Sequence, residues 1–339
     1  MFKKFLKKYW LIFVFALIIN IPIVIMGTIR TNKDITIKGD CQNINGFIDI
    51  ESDYNESGSF SSIYVVDFEK STILQNLICS NIKEADITDL NLNVNNLNDF
   101  ERYEAGQIQK NSSISKAIIV AYEKAKINND NIYIDYEFKG LKVTYYSKKS
   151  ALRISDLIIK VNDTGLDVGS ISFKKTLIDE LYDNDNLDSF TILRNGSLIT
   201  YNEEEIDYYN FNAYEIFDIN YETITPSLSL KSTNVGGPSG GLLQTLSIYN
   251  RLTSFDYTNG LKIAGTGTIN LSGNVGEIGG IKQKIYTAYD DNIDVFLCPA
   301  SNYDEALIAY NNLKNKEKMA LVKISNFTDA INYLEGLND

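Results

Sequence analysis

The run from about Tyr9 to Ile29 constrains this chain more than any other stretch, because it is apolar almost throughout and as long as a bilayer is thick. At about 1.5 Å per residue, roughly 20 helical residues match a hydrocarbon core of ~30 Å, even with Asn20 and Pro22 inside the run. Residues 9–29 are therefore expected to form a transmembrane helix, the chain's contact with the lipid bilayer. Lys3, Lys4, Lys7 and Lys8 precede it, whereas Arg30 and Lys33 after it are offset by Asp34 and Asp40. The positive-inside rule then puts residues 1–8 in the cytoplasm and everything after the span outside. A cleaved signal peptide is the competing reading; the length of the run and the lack of an Ala-x-Ala site after it favour an anchor.

The 339 residues exceed one typical core and call for two or three domains. A formal charge of -12 argues against nucleic acid as a partner, since phosphate-binding surfaces are basic. The chain has no histidine, so neither a Ser-His-Asp nor a Cys-His catalytic arrangement can be built within it. Cys41, Cys79 and Cys298 lack paired Cys-x-x-Cys spacing, and without histidine no metal site is expected. Cys41 and Cys79 are compatible with a disulfide outside the cell or with two free thiols. Cys298 lies in the apolar run Val295 to Cys298 and reads as a buried strand residue.

Residues 36–127 read as short strands, including Ser61 to Phe68 and Ile73 to Ile78, followed by a packing helix over Ser113 to Lys126. Residues 131–202 change character. A strand over Ile132 to Phe138 leads into Gly140-Leu141-Lys142-Val143, then Ser150 to Asn162, a helix over Ser172 to Tyr182, and a hairpin turning at Asn195-Gly196. The pattern Ala151-Leu152-Arg153-Ile154-Ser155-Asp156-Leu157-Ile158-Ile159-Lys160-Val161-Asn162 resembles the PDZ domains of bacterial proteases, with Ser155 where the family has glycine. The resemblance implies that an extended peptide adds as a strand between a loop at Gly140, Leu141 and Val143 and the helix from Ser172. A module that only orients its neighbour is the other reading.

Residues 203–339 alternate strands and helices as an α/β domain. Within them, Asn234-Val235-Gly236-Gly237-Pro238-Ser239-Gly240-Gly241-Leu242 is a glycine-rich turn that sets one serine at the start of an apolar helix. A tight turn into a helix would account for Ser239 by itself. With histidine excluded, a nucleophilic serine needs another base, and a buried lysine is the natural candidate. The stretch from Lys262 to Lys284 is rich in glycine but has no Gly-Lys-Ser/Thr ending and no complete dinucleotide fingerprint, so no nucleotide or other cofactor is expected.

Gly237-Pro238-Ser239-Gly240-Gly241, Thr266-Gly267 and Ile278-Gly279-Gly280-Ile281-x-x-Lys284 resemble the catalytic segments of Lon proteases, where a serine and a lysine form a dyad. The resemblance implies Ser239 as nucleophile, Lys284 as general base and Thr266 as the residue orienting the amine, with Lys282 outside the dyad. The backbone N–H groups of Ser239 and Gly237 are the expected oxyanion donors. Gly236, Gly240 and Glu277 depart from the residues many Lon enzymes carry, and Gly240 is expected to loosen the turn. A free lysine is neutral only about once in a few thousand molecules at pH 7, so burial beside Ile278 and Ile281 has to bring its pKa near neutrality, at about 4 kcal/mol.

The whole layout, a multidomain α/β and α+β chain with one transmembrane helix, a PDZ-like module and a Lon-like domain without an ATPase, is similar to membrane-anchored peptidases of the SepM/YlbL type. It implies an ATP-independent extracytoplasmic endopeptidase acting on a peptide or an unfolded protein segment. A catalytically silent, peptide-binding adaptor is the alternative.

Overall fold

The computed structural model describes residues 2–52, 54, 56–90, 97–162, 164–166, 188–207, 210–233 and 235–337. Helix α1 (Phe2–Thr28) takes up the apolar run and is long and apolar enough to cross a membrane; from Lys7 onward none of it is buried against the rest of the chain. Backbone bonds then pin the chain where it leaves this helix: Thr31 N–H donates to Ser71 O at 2.8 Å and Ile73 N–H to Ile29 O at 3.1 Å.

Strands β1 (Lys33–Asn43), β2 (Ile48–Ile50) and β3 (Ser59–Phe68) follow. The segment from Ile73, expected as a strand, is instead helix α2 (Ile73–Cys79). Its apolar run gave no period to separate the two, and a capping box decides: Gln75 N–H donates to Thr72 Oγ1 and Thr72 N–H to Gln75 Oε1, at 3.2 and 2.7 Å. After β4 (Asp86–Asp89), helix α3 (Asp99–Lys126) starts well before the expected Ser113. Asn98 and Glu101 form a second capping box, acids occupy the first turn and Lys124 and Lys126 the last, an arrangement that suits the helix dipole. Only the second half carries the broad apolar stripe that marks a helix from sequence.

The chain next builds an antiparallel sheet from β5 (Tyr136–Tyr146), β6 (Leu157–Val161), β7 (Thr164–Gly165), β8 (Ser189–Arg194), β9 (Ser197–Asn202) and β10 (Phe211–Ile219), ordered β10-β5-β6-β8-β9 with β7 paired to β6. Asn195 and Gly196 turn the β8–β9 hairpin with φ of 50° and 80°, as a two-residue type I′ turn requires. The Asp156 carboxylate, 1% exposed, accepts from Arg194 Nε at 2.7 Å, Arg194 Nη2 at 2.6 Å and Arg153 N–H at 2.7 Å. Ser155 adopts φ 70° at the position where the PDZ resemblance has glycine. The helix expected over Ser172 to Tyr182 lies outside the described residues.

This sheet corrects the expected peptide groove. Gly140, Leu141 and Val143 are in the middle of β5, not in a loop; β10 pairs with all three, and β6 pairs with Leu141 on the other edge. Leu141 and Val143 are 2% and 0% exposed. A side chain at Gly140, where φ is 139°, would meet Ile158 O at 2.4 Å. No peptide strand can add here: Leu141 is paired on both edges, Val143 exchanges backbone bonds with Ser155 and Asp156 on the side away from β10, and Ile158 O closes on Gly140.

Past β11 (Leu228–Leu230), which pairs with β2, come α4 (Gly241–Thr253), β12 (Lys262–Gly265), β13 (Thr268–Ile269), β14 (Val275–Gly276), α5 (Ile281–Asp290), β15 (Val295–Pro299), α6 (Tyr303–Asn311), β16 (Ala320–Ile324) and α7 (Phe327–Glu335). The second sheet runs β16-β15-β12-β3-β1-β4, parallel from β16 to β3 and antiparallel beyond. Helices cover both of its faces, which is why Val295 to Cys298 is an unbroken buried run. Phe296 and Cys298 pack with Ile281 and Ile285 of α5 and Ala306 and Ala309 of α6; Val295 and Leu297 face Leu242, Leu243 and Leu246 of α4 and the buried stripe of α3. The thiols of Cys41, Cys79 and Cys298 are all free.

Two expected boundaries cut through sheets. Residues 33–89 supply β1, β3 and β4 to the same sheet as residues 262–324, so the region of residues 36–127 is not a separate body. Likewise β10 lies beyond residue 203 yet closes the antiparallel sheet by pairing with β5 from end to end.

Candidate active site

The Ser239 turn is held by Thr266 and Gly267, the two-residue link between β12 and β13. Ser239 O accepts two donors, Gly267 N–H at 2.8 Å and Thr266 Oγ1 at 3.0 Å, and Leu242 N–H in turn donates to Gly267 O at 3.0 Å. These bonds fix the serine backbone at the mouth of α4. Asn234, which opens the turn, lies outside the described residues. Gly240, the N-cap of α4, has φ -89° and ψ -5°, a conformation open to any residue, so its backbone does not demand glycine.

Lys284 reaches the turn from the first turn of α5. Gly280 precedes that helix with φ 69°, and a side chain there would stand 2.8 Å from Val65 Cγ1, so glycine lets α5 start against β3. Lys284 Nζ lies 2.8 Å from Ser239 Oγ and 2.9 Å from Thr266 Oγ1. Because the Thr266 hydroxyl spends its proton on Ser239 O, it accepts from the amine. A neutral amine donating to Thr266 keeps its lone pair for the Ser239 O–H. Lys284 is 2% exposed, and burial lowers its pKa to about 7, only partly opposed by the negative charge of Asp67. Lys282, two residues away, turns outward: its Nζ meets Asp86 Oδ1 at 2.6 Å and Ala85 O at 3.2 Å.

A cavity of about 640 Å³ opens over this cluster. Ser239, Lys284, Gly279 and Gly280 form one wall; Thr36 of β1 and Tyr64 to Asp67 of β3 form the other. The second wall is absent from the sequence motifs, since nothing in Thr36 or Asp67 distinguishes them along the chain; sheet pairing alone brings them there. Thr36 Oγ1 donates to Asp67 Oδ1 at 2.5 Å. Asn302 is another residue the motifs missed. Its amide clasps Ile278 from both sides, accepting from Ile278 N–H at 2.9 Å and donating to Ile278 O at 3.0 Å, and so fixes the loop before Gly279.

Of the two expected oxyanion donors, Ser239 N–H has no partner among the described residues, whereas Gly237 N–H is committed to Gly106 O of α3 at 3.0 Å. Ser113 Oγ donates to Pro238 O at 2.9 Å and Lys110 Nζ to Thr233 O at 2.8 Å, so α3 holds the entire approach to Ser239. Gly237 as an oxyanion donor is thus corrected for this conformation.

A glycine turn at the head of an apolar helix, a buried amine on its serine and a threonine bridging the two define a class when joined to the fold. Residues 226–334 match the profile of the Lon protease (S16) C-terminal proteolytic domain, which supports a serine-type peptidase. The chain is 30% identical over 102 residues to the Lon proteases of Neorickettsia sennetsu and Campylobacter jejuni, and 33% identical over 95 residues to that of Campylobacter concisus. These stretches are 30%, 30% and 28% of this chain, and span 12%, 12% and 11% of the respective relatives.

Proposed function

We propose that the chain is a membrane-anchored, ATP-independent serine endopeptidase whose Ser239-Lys284 dyad cleaves peptides or unstructured protein segments outside the cell. The observation that carries this reading is the amine of Lys284, 2% exposed and 2.8 Å from Ser239 Oγ with a pKa lowered to about 7. An ammonium buried without a carboxylate partner costs stability, and an adaptor would gain nothing from it.

In this mechanism neutral Lys284 takes the Ser239 hydroxyl proton as Oγ attacks the scissile carbonyl carbon. The carbonyl electron pair moves to oxygen, where Ser239 N–H meets the developing charge. Collapse breaks the C–N bond, and Lys284 returns the proton to the leaving amine. Water, deprotonated by the same amine, then adds to the acyl carbon; collapse breaks the C–Oγ bond, the acid leaves, and the Lys284 ammonium returns its proton to Ser239 Oγ. Thr266 is a positioning residue that holds the lysine lone pair on the serine.

β12 pairs with β3 only over Ser59 to Ser62, so from Tyr64 to Asp67 β3 has β1 on one edge and no strand partner among the described residues on the other. An extended substrate backbone fits that edge, in keeping with a disordered or short substrate. The expectation of no ATP requirement rests on the missing Gly-Lys-Ser/Thr loop, and the anchored, extracytoplasmic placement on α1 and its flanking lysines. The antiparallel sheet, with the Asp156–Arg194 pair tying the start of β6 to the end of β8, serves as the PDZ-like module in this reading, orienting the peptidase through α3. Tyr146 OH donates to Glu101 Oε1 at 2.8 Å, Lys116 pairs with Glu215 at 2.9 Å, and Ser155 bonds Glu104.

The test is cleavage of an unstructured protein by the detergent-solubilised full chain. Activity should disappear in Ser239→Ala and Lys284→Ala and persist in Lys282→Ala; equal activity in all three variants would refute the dyad.

A further inference from the structure

Helix α2 leaves its apolar side uncovered beside the end of α1. Ile73, Leu77, Ile78 and the following Ile82 are 38%, 56%, 55% and 41% exposed. Residues 73, 74, 77 and 78 fall within one stripe of about 140° on the helix. Leu74, within that stripe, sits beside Gly27 of α1. The stripe is held at this level by the bonds from Thr31 to Ser71 and from Ile73 to Ile29, so it begins where the apolar run ends. Arg30 and Lys70 flank its start, cations of the kind that meet anionic lipid headgroups.

We propose that α2 lies in the lipid interface of the leaflet from which α1 emerges and thereby holds the Ser239 cleft at the bilayer surface. The proposal rests on the membrane-anchored reading of α1. A partner protein would need a reason to seat on a stripe continuous with a lipid-facing helix; the bilayer is already there. The cleft lies at the same end of the sheet. Thr36, in its wall, is eight residues beyond Thr28, so the two are separated by at most about 28 Å. A second cavity of about 720 Å³, lined by Arg30, Lys70 and Arg102 and by the carboxylates of Glu69 and Asp99, shares Asp67 with the catalytic one and so adjoins it on the side where α1 ends. Polypeptide entering by this route comes from the membrane surface.

The experiment places a genetically encoded fluorescent amino acid at Ile78, Phe15 or Phe255 of the full chain, reconstituted in phosphatidylcholine/phosphatidylglycerol vesicles with doxyl-labelled lipids. Phe15 reports insertion of α1. Phe255 is an exposed control next in sequence to Asp256, which binds Ser57 before β3 begins, whereas α2 follows the other end of that ten-residue strand, about 30 Å away. The expected result is strong quenching at Phe15 by deep labels and, at Ile78, several-fold stronger quenching than at Phe255, greatest with shallow labels as an interfacial helix requires. Quenching at Ile78 no greater than at Phe255 while Phe15 remains quenched would overturn the proposal and leave the anchor standing. Loss of quenching at Phe15 as well would overturn the anchor and the proposal together.

Discussion

Replacing Lys284 with methionine should make the peptidase sheet more resistant to acid, by an amount that shrinks as pH rises. Below pH 7 both folded and unfolded chains carry the ammonium, and folding has to bury the charge. Between pH 7 and the ordinary lysine value the unfolded chain binds more protons than the folded one, so stability of the natural protein climbs with pH. With the folded value at about 7, against 10.5 in water, the penalty is about 5 kcal/mol at pH 6, about 3 at pH 8 and about 2 at pH 9. Methionine removes this dependence while leaving Ser239 Oγ and Thr266 Oγ1 short of a partner, a cost of about 1–3 kcal/mol that does not vary with pH. The difference between the two proteins should therefore change by about 3 kcal/mol from pH 6 to pH 9, in favour of the natural chain at the higher pH. Cys298 offers a local probe, because its thiol is 0% exposed in β15, at the heart of the same sheet. Brief pulses of a thiol reagent across a urea series, at each pH, would report how much of the sheet has opened. Parallel stability profiles for the two proteins would show that Lys284 does not titrate near neutrality and would refute the reasoning.

Four further outcomes follow from the same geometry. Peptide cleavage, measured as kcat/KM, should rise with pH through a limb near 7, since Lys284 acts only when neutral. Thr266→Val should keep the fold but lower kcat by about 5- to 150-fold, the equivalent of about 1–3 kcal/mol, with Thr266→Ser restoring most of it in a kinetic assay. Gly240→Ala should raise stability by about 0.4–1 kcal/mol, seen as a higher urea midpoint, because the backbone there already suits alanine and the nearest atom, Gln244 Nε2 at 2.8 Å, ends a flexible side chain. Arg194→Met should cost about 3–5 kcal/mol, seen as loss of proteolytic resistance in the antiparallel sheet, since it strands the buried Asp156 carboxylate.

What the sequence disclosed and what it hid follow a physical division. Ser239, Thr266 and Lys284 sit in short glycine-marked segments, where the backbone conformation itself dictates residue type; Gly280 at φ 69° and Gly267 at φ 148° leave their mark in the letters. Buried strands such as Val295 to Cys298 and the leucine face of α4 were equally plain, because burial on one or both faces sets the pattern. Thr36, Asp67 and Gly106 were not, for they reach the site only through pairing of β3 with β1 and β12 and through docking of α3, contacts between residues up to about two hundred positions apart, and Asn302 was hidden because only the fold sets the turn after β15 against Ile278. The same long-range pairing hid the domain boundaries and turned the presumed loop at Gly140 into an interior strand. Residues Ile73 to Ile78 show the limit of local patterning: a short apolar run fits strand or helix, and a single capping box at Thr72 decided between them.

The central claim is that Lys284 activates Ser239. It is tested most directly by treating the full chain with a serine-reactive phosphonate at pH 8 and locating the adduct by peptide mass mapping. The account predicts an adduct on Ser239 in the natural protein and in Lys282→Ala, and its loss in Lys284→Ala. Labelling of Ser239 undiminished in Lys284→Ala, or an adduct on a different serine, would contradict it.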